Sequence, residues 1–305
     1  DCHVKLIDVF EICIETILAV PSFAIYVFLF RSYFIRRPRI LNDSFFTLYL
    51  VSAALSMAYF FMNLLFMRIP GVGLFCDPIM HSSLSEPTYI LSFPYFALYY
   101  LPYAMIFSNI AISLNRMCSV LFVHDFVKMW VFLTPFAVVL IFILPLPLSW
   151  HNLISPAYYS DVANGIGMNY VKVINYPKNS LISLIFYLSS AGIVTISTVI
   201  TALRMTQMVK RHKKSEVSLL LVGALQSFGT LLFAAHALYM YNYFSDFLYQ
   251  KRFVLVDYQC FCPAWTLLLL SVNVRKELRQ SIRRKSNAVK SSFGKGASKA
   301  SLNDH

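Results

Sequence analysis

The chain has 305 residues, of which 58% are hydrophobic, 16% are aromatic and only 13% are charged. A globule of this composition would be insoluble in water, so the composition excludes an ordinary soluble protein and indicates that lipid is the solvent. The formal net charge of +12 would suggest a nucleic-acid partner in a soluble protein, but here the basic residues lie between and after long apolar runs.

Seven apolar stretches, each about 20 residues or longer, predict an all-α membrane protein that forms a seven-transmembrane helix bundle. A hydrocarbon core about 30 Å thick requires roughly 20 helical residues, and in lipid a helix satisfies its own backbone hydrogen bonds. The runs are too long for strands and lack their alternation, which argues against a barrel. The predicted spans are residues 12–34, 44–67, 93–122, 130–149, 180–208, 217–245 and 252–274. Residues 1–275 therefore form one membrane domain, and residues 276–305 form a basic tail.

The distribution of Lys and Arg predicts the orientation of the bundle. If the N-terminus is outside, the inner segments and the tail hold 20 of the 26 basic residues. Cytoplasmic segments of membrane proteins are enriched in Lys and Arg, so we expect the N-terminus outside and the C-terminus in the cytoplasm. The basic residues that this orientation leaves in the outer segments are Lys5, Arg68, Lys172, Lys178, Lys251 and Arg252.

Two long segments, 68–92 and 150–179, connect the outer ends of the predicted spans. The second contains several Tyr, Asn and Gly residues, and we expect it to form an irregular cover over the mouth of the bundle.

The six cysteines have no spacing typical of a metal site, and no cofactor is expected. Cys2 and Cys76 fall on the outer side, where an oxidising environment permits a disulfide between the N-terminus and the first outer segment. The alternative is that both are free thiols, because the sequence does not show that their Cα atoms approach each other.

Ionisable groups at membrane depth are costly and usually functional, and few occur in this chain. Asp257 lies about five residues into span seven and His236 about nine residues from the outer end of span six, so both fall in the outer half. Span three carries Tyr99 and Tyr103, and Tyr239 follows His236 by one helical turn. Together these residues predict an outward-facing pocket with apolar and aromatic walls for a small ligand.

Each of these residues also has a purely structural interpretation. An aromatic stripe at helical spacing commonly packs in a core or against lipid. A histidine in the position of His236 more often forms an interhelical hydrogen bond than a contact with a ligand. Asp257 could reach the headgroups or pair with Lys251 or Arg252. Two acidic residues at the outer end of span one are expected at the membrane interface: Glu11 and Glu15.

The sequence excludes some functions and leaves others open. No H-E-x-x-H or G-x-S-x-G motif occurs, so an enzyme is not expected. A retinal-binding protein needs a Lys in span seven, and none occurs from residue 253 to residue 274. Two functions stay open at this point. One is a ligand-gated channel of the insect odorant-receptor type, which places its N-terminus inside, and the other is a small-molecule carrier.

Asn115 and Arg116 close the apolar part of span three at its inner end. A seven-helix chain with an outside N-terminus and an Arg at this place resembles a G-protein-coupled receptor. The resemblance to rhodopsin-like receptors is incomplete, because these have an acidic residue before that Arg and a disulfide from span three to the second outer segment. This chain has Asn115 at the first place and no Cys in that segment.

Three segments resemble the patterns of nematode serpentine chemoreceptors of the gamma class: DSFFTLY at 43–49, LNRMCSVLF at 114–122 and PAWTLLLLS at 263–271. The resemblance implies a chemosensory receptor in the plasma membrane, at the cilium of a sensory neuron. It further implies that the receptor binds a small molecule or peptide and couples to a heterotrimeric G protein. By the same analogy, Arg116 takes part in this coupling.

After span seven, Val274, Leu278 and Ile282 recur at helical spacing among basic residues. This pattern predicts an amphipathic helix whose apolar side lies against the lipid of the anionic inner leaflet, and it accounts for the net charge without nucleic acid. Phosphorylation would weaken that attachment, and a plain solvated tail is the alternative. The candidate phosphorylation sites are Ser286, Ser291 and Ser292.

Overall fold

The computed structural model describes residues 6–36, 44–73, 75–162, 165–207, 214–243, 246–270, 274–276 and 278–279. Among these, side chains are not described at residues 6–8, 35–36, 76, 162, 165, 214–219, 246–251 and 270. The words outer and inner are used below in the sense of the predicted orientation.

Long helices make up most of the described chain, and we number them α1 to α7 in chain order. Their bounds are α1 Leu6–Arg31, α2 Ser44–Asn63, α3 Ser92–Leu121, α4 Phe126–Ile143, α5 Asn179–Gln207, α6 Lys214–Asn242 and α7 Asp246–Leu270. Shorter helical elements extend or connect them: Ser32–Arg36 and Leu64–Arg68 (π), Ile69–Gly71, Cys76–Met80 and Pro145–Leu153 (α), and Tyr89–Leu91 (3₁₀).

Six helical segments of the described chain are long and apolar enough to cross a membrane: Val9–Phe34, Ser44–Gly71, Tyr89–Leu121, Phe126–Leu153, Asn179–Gln207 and Leu220–Asn242. The 25-residue α7 is not one of the six, and it carries the charged residues Asp246, Lys251, Arg252 and Asp257. The helical membrane architecture agrees with the predicted class. The seventh span and the orientation of the termini stay predictions.

The helix α3 lies at the centre of the bundle. It contacts α2, α4, α5 and α6. In the most apolar 18-residue stretch of Tyr89–Leu121, 61% of the residues are buried, compared with 11% in that of Phe126–Leu153. Helix α5 packs on α6, α6 packs on α7, and α7 contacts α1 and α2. A central helix with polar side chains and a peripheral one with exposed apolar side chains suit a bundle whose rim faces lipid.

The helix that begins with α2 continues through a π turn to Gly71, beyond the predicted end of span two at residue 67. A π turn inserts one residue into the helical repeat, which rotates the residues after it by about 100° relative to an unbroken α-helix. Arg68 lies in this turn and is only 1% exposed. Gly73 then follows with a φ of 86°, a left-handed conformation that favours glycine after a helix end.

The second outer segment contains a β-hairpin, so the predicted irregular cover is wrong for this part of it. Strands β1 (Ala157–Val162) and β2 (Gly165–Tyr170) pair antiparallel, with Ala157 opposite Tyr170. Thr88 and Ala157 exchange two backbone hydrogen bonds of 2.9 and 3.0 Å, which join the hairpin to the first outer segment. The reason for the difference is a buried face that the composition concealed. In β1 Ala157 and Tyr159 are buried and alternate with more exposed residues, and in β2 Ile166 and Met168 are buried with Gly167 between them.

Candidate functional site

The outer half of the bundle contains a buried ionic cluster centred on Arg68. Its guanidinium has five N–H groups, and each has an acceptor. Nε donates to Oδ1 of Asn63 (3.2 Å), and Nη1 donates to Glu15 and to Oδ2 of Asp257 (3.0 Å). Nη2 donates to Oδ1 of Asp257 (2.5 Å) and to the carbonyl oxygen of Phe253 (2.9 Å). The cluster thereby joins α1, the extension of α2, and α7.

The guanidinium of Arg68 also has aromatic neighbours. Its Cζ lies 5.6 Å from the ring centroid of Phe60 and 5.2 Å from that of Phe253. The faces of aromatic rings attract a cation, most strongly where water is excluded. A buried charge is tolerated only when it is paired and fully hydrogen-bonded, which explains how Arg68 can lie inside the bundle.

The cluster corrects the places expected for Arg68 in an outer loop and for Glu15 at the interface. Asp257 was expected in the ligand pocket or in a pair with Lys251 or Arg252, and its role in ligand binding stays a prediction. In the structure the partner of Asp257 is Arg68, and Glu15 binds the same guanidinium. The sequence signal that could have found the cluster is the occurrence of two acidic residues and one basic residue at the outer ends of three spans.

The predicted pocket residue Tyr103 is buried between α3 and α5. Its hydroxyl lies 2.8 Å from the hydroxyl of Ser183, and its ring centroid lies 5.0 Å from that of Phe186. Tyr99, one turn toward the outer end, is half-buried and accepts a hydrogen bond of 3.4 Å from the hydroxyl of Tyr95. These tyrosines form a polar and aromatic contact between the central helix and α5.

The predicted pocket residues His236 and Tyr239 lie on α6. Tyr239 is 50% exposed, and its ring lies 5.5 Å from that of Tyr243 near the end of the helix. His236 is half-buried. It lies one turn from Phe233, whose ring packs 5.8 Å from that of Tyr187 on α5. Helix α6 therefore reaches the aromatic contact between α3 and α5 through Phe233.

The predicted pocket residues thus fall into two groups. Tyr99 and Tyr103 belong to the contact between α3 and α5, whereas Asp257 belongs to the Arg68 cluster. Tyr59 of α2 connects the two groups, because this buried residue lies within electrostatic range of both Arg68 and Tyr103. Tyr59 was not predicted as a site residue, because nothing in the apolar sequence of span two distinguishes it from a core residue.

A second polar network, also missed from the sequence, joins the start of α5 to the short helix Pro145–Leu153 that follows α4. Oδ1 of Asn179 is 2.6 Å from Nε2 of His151, and Nδ2 of Asn179 donates to Oδ1 of Asn152 (2.9 Å). Nδ2 also reaches the hydroxyl of Tyr95 at 3.4 Å, and all four side chains are buried. The ring of Tyr95 stacks on Tyr170 of β2, with centroids 5.2 Å apart. The hairpin therefore contacts α3 directly and is linked through Tyr95 to α5 and to the helix that follows α4.

At the inner end, the predicted coupling residue Arg116 lies against the start of α2. Its Cζ is 3.7 Å from the ring centroid of Phe45, which is 1% exposed. The neighbouring Asn115 is fully buried, and its Nδ2 donates to the hydroxyl of Ser44 (2.9 Å). These contacts hold the inner ends of α2 and α3 together, and Arg116 itself is half-buried.

A small crevice also lies nearer the inner ends of α1 and α2 than the predicted pocket does. It is lined by Leu29, Tyr33, Phe46, Tyr49 and Leu50. Within the described part of the chain, no group of three or more His, Cys, Asp or Glu residues could hold a metal ion.

Several predictions concern residues whose placement or side chain lies outside the described part. The bridge between Cys2 and Cys76 and the phosphorylation of Ser286, Ser291 and Ser292 stay predictions for this reason.

For the predicted amphipathic helix, Val274 is only 1% exposed, so it packs against the bundle instead of facing lipid. The physical reason is that the bundle offers Val274 a buried apolar environment before the chain reaches the surface.

Comparisons with known proteins give one consistent result. The model of the Srg family of chemoreceptors matches residues 12–278, which is most of the chain. Serpentine receptor class gamma-10 of Caenorhabditis elegans is 27% identical over 244 residues, covering 78% of this chain and 75% of the relative. Serpentine receptor class gamma-17 of the same organism is 30% identical over 182 residues, covering 58% and 56%. Serpentine receptor class gamma-69 is 25% identical over 250 residues, covering 77% and 72%.

Proposed function

Because this chain belongs to the Srg family of chemoreceptors, we propose that it is a chemosensory G-protein-coupled receptor. It binds a small ligand in the outer half of its bundle and activates a heterotrimeric G protein at its inner face. The candidate spans and the family make it a multi-pass membrane protein, and the family is one of receptors, not of enzymes. Seven spans, an outside N-terminus, the plasma membrane and the sensory cilium are parts of the same proposal.

The observation that carries this proposal is the contact between α3 and α5 beneath the hairpin. Tyr103 and Ser183 place two hydroxyl groups among aromatic rings inside the outer half of the bundle. Small-ligand sites combine such apolar walls with a few polar groups that orient the ligand. A ligand that inserts a polar group between Tyr103 and Ser183 would change the distance between α3 and α5.

The inner end supplies the second part of the proposal. Arg116 and Asn115 hold the inner end of α3 against Phe45 and Ser44 at the start of α2. A ligand activates a receptor only through a difference in its affinity for two states of the bundle. In the proposed active state the inner ends separate, and Arg116 exchanges the ring of Phe45 for the G protein.

A ligand screen with nucleotide exchange on a G protein as the readout tests the proposal. With a ligand in hand, Tyr103→Phe is expected to raise the half-maximal ligand concentration about fivefold, which corresponds to one hydrogen bond. The matched control is Tyr100→Phe, which removes a hydrogen bond of 2.9 Å from α3 to the carbonyl oxygen of Phe142 on α4. Equal effects of the two variants would contradict a ligand site between α3 and α5.

The coupling role is tested separately. Arg116→Ala is expected to reduce ligand-driven nucleotide exchange at least about fivefold while surface expression is preserved. Arg204→Ala is the control, because Arg204 is exposed on the same side and its described side-chain bond is to Gln207 in its own helix. Unchanged exchange in the Arg116 variant would show that the coupling role is wrong.

Cells that express the protein at their surface also distinguish the rival functions. A ligand-evoked current that persists without a G protein would favour a channel, and ion-coupled uptake without nucleotide exchange would favour a carrier. An accessibility tag at residue 1 reports the topology, and cytoplasmic labelling of that tag would contradict the proposed orientation.

A further inference from the structure

We propose that Glu15 and Asp257 share one proton, so that the cluster around Arg68 is a proton-binding site in the outer half of the bundle. The proposal concerns the protein itself and does not depend on whether it couples to a G protein.

The cluster brings two carboxyl groups to one guanidinium. Glu15 and Asp257 both accept a hydrogen bond from Nη1 of Arg68, so their carboxyl groups are neighbours on one guanidinium. Two ionised carboxylates beside one guanidinium leave an uncompensated negative charge, which is costly where water is largely excluded. A proton on one carboxyl removes that charge. The resulting O–H can then donate to the other carboxylate.

Other charged and titratable groups surround Glu15 and Asp257. From α1 the neighbour is Glu11, and from α7 Arg252 lies on the same ring of Phe253 as Arg68, with its Cζ 5.4 Å from the centroid. Neither is among the described hydrogen-bond partners of Arg68, and their opposite charges leave the balance of one guanidinium and two carboxyl groups unchanged. Two further groups lie within range of the cluster: the phenol of Tyr59 and the thiol of Cys260. Both are neutral when protonated, so neither supplies a positive charge.

The hydrogen bonds to Arg68 indicate which carboxyl group holds the proton. Asp257 accepts from both Nη1 and Nη2 of Arg68, which is the bidentate geometry that a carboxylate prefers when it is ionised. Glu15 accepts from Nη1 alone. The side chain of Glu15 is also slightly more exposed (16%) than that of Asp257 (12%), and it lies in the predicted outer half of α1. The proton therefore resides on Glu15, which exchanges it with the outer solution.

The consequence concerns how α1 is held. Deeper in the bundle, Tyr26 donates to the carbonyl oxygen of Cys260 (2.7 Å), and Trp265 donates to the hydroxyl of Ser22 (2.9 Å). Toward the outer end, α1 is held to this cluster through Glu15. Loss of the proton makes Glu15 and the bidentate Asp257 repel each other, so the outer end of α1 separates while Asp257 keeps Arg68. The cluster joins three helices when it is protonated and two when it is not.

The sign of the pH effect follows from linkage. If the folded protein binds a proton more tightly than the unfolded chain, the resulting stability is present at low pH and is lost as pH rises. Full-length protein in lipid nanodiscs is melted at a fixed scan rate at about pH 5.5 and about pH 8.5. The wild type and Glu11→Gln, the matched control one turn away on α1, should both melt about 2–4 °C lower at the higher pH.

Glu15→Gln imitates the protonated acid and should have the same Tm at both pH values. Asp257→Asn provides a second test, because it leaves one carboxylate for one guanidinium and should also be independent of pH. The proposal is overturned if Glu15→Gln and Glu11→Gln respond equally to pH. It is also overturned if Asp257→Asn folds and retains the pH response of the wild type.

Discussion

Arg68 and Asp257, which are 189 positions apart in the chain, are joined by two hydrogen bonds of 2.5 and 3.0 Å inside the bundle. A bidentate pair of this kind specifies both the distance and the relative rotation of the two groups. Because Arg68 lies in the π turn after α2 and Asp257 in α7, the pair determines how these two helices are positioned relative to each other. Glu15 extends the same constraint to α1.

Replacement of Arg68 by Met is expected to lower the free energy of unfolding by about 3–5 kcal/mol, because the carboxyl groups of Asp257 and Glu15 lose their partner inside the bundle. Arg68→Lys should restore little of this loss, since an ammonium has three donors where the guanidinium uses five. The measurement is the denaturation of purified protein together with the amount that reaches the cell surface. The control is Arg204→Met at an exposed position, and a similar loss in that variant would contradict the importance of the cluster.

Tyr159 is expected to stabilise the hairpin, because its hydroxyl donates to the carbonyl oxygen of Phe66 (3.1 Å) beside Arg68. Tyr159→Phe removes this bond, and hydrogen exchange of the hairpin amides should become about fivefold faster, which corresponds to about 1 kcal/mol. Tyr158→Phe is the matched control, because successive side chains of a strand point to opposite faces. Equal acceleration in both variants would contradict the role of Tyr159.

The same residue makes a prediction about pH. Burial raises the pKa of Tyr159 from its ordinary value of 10.0 to about 12. Since the folded state holds this proton more tightly, its contribution to stability is complete below about pH 10 and is lost as pH rises through about 12. The difference in hairpin protection between the wild type and Tyr159→Phe should therefore be constant from neutral pH to about pH 10. A difference that changes within this interval would contradict the assignment.

Asn179→Ala is expected to lower the free energy of unfolding by about 1–3 kcal/mol, because it leaves buried groups of His151 and Asn152 without their partner. Asn242→Ala should have a much smaller effect, since Asn242 is exposed and its amide donates to Leu238 in its own helix. Chemical denaturation of the two variants in the same detergent measures the difference. A comparable loss in both would show that the network does not join α5 to its neighbours.

Gly229 is expected to allow the close approach of α6 and α7. A Cβ at this position would lie 2.8 Å from Cε1 of Tyr258, whose hydroxyl donates to the carbonyl oxygen of Leu225 (2.9 Å). Gly229→Ala must therefore move that ring and should cost about 1–3 kcal/mol. Gly223→Ala in the same helix meets no atom within 4 Å and should be neutral or slightly stabilising. Thermal denaturation measures the Tm of both variants, and equal Tm values would contradict the close approach of α6 and α7.

Part of the candidate site was within reach of the sequence. Tyr103 was predicted from aromatic residues at helical spacing in span three, whereas its hydrogen-bond partner Ser183 was not predicted. Arg68 was assigned to a loop because hydropathy alone ends span two near residue 67, whereas a π turn extends the helix and turns Arg68 inward. The hairpin was missed although the sequence has Asn164-Gly165, a pair that favours tight turns, where β2 begins.

The sequence by itself determined that this is a helical membrane protein and, through motifs distributed along most of its length, the family to which it belongs. Both properties depend on local apolar length and on short segments, which can be read without knowing where distant residues meet. Only the tertiary structure decided that Glu15, Arg68 and Asp257 form one cluster and that the hairpin is linked to three helices. Partners separated by tens to hundreds of residues are selected by packing and by the cost of leaving a buried charge unpaired, and neither of these can be read from local sequence.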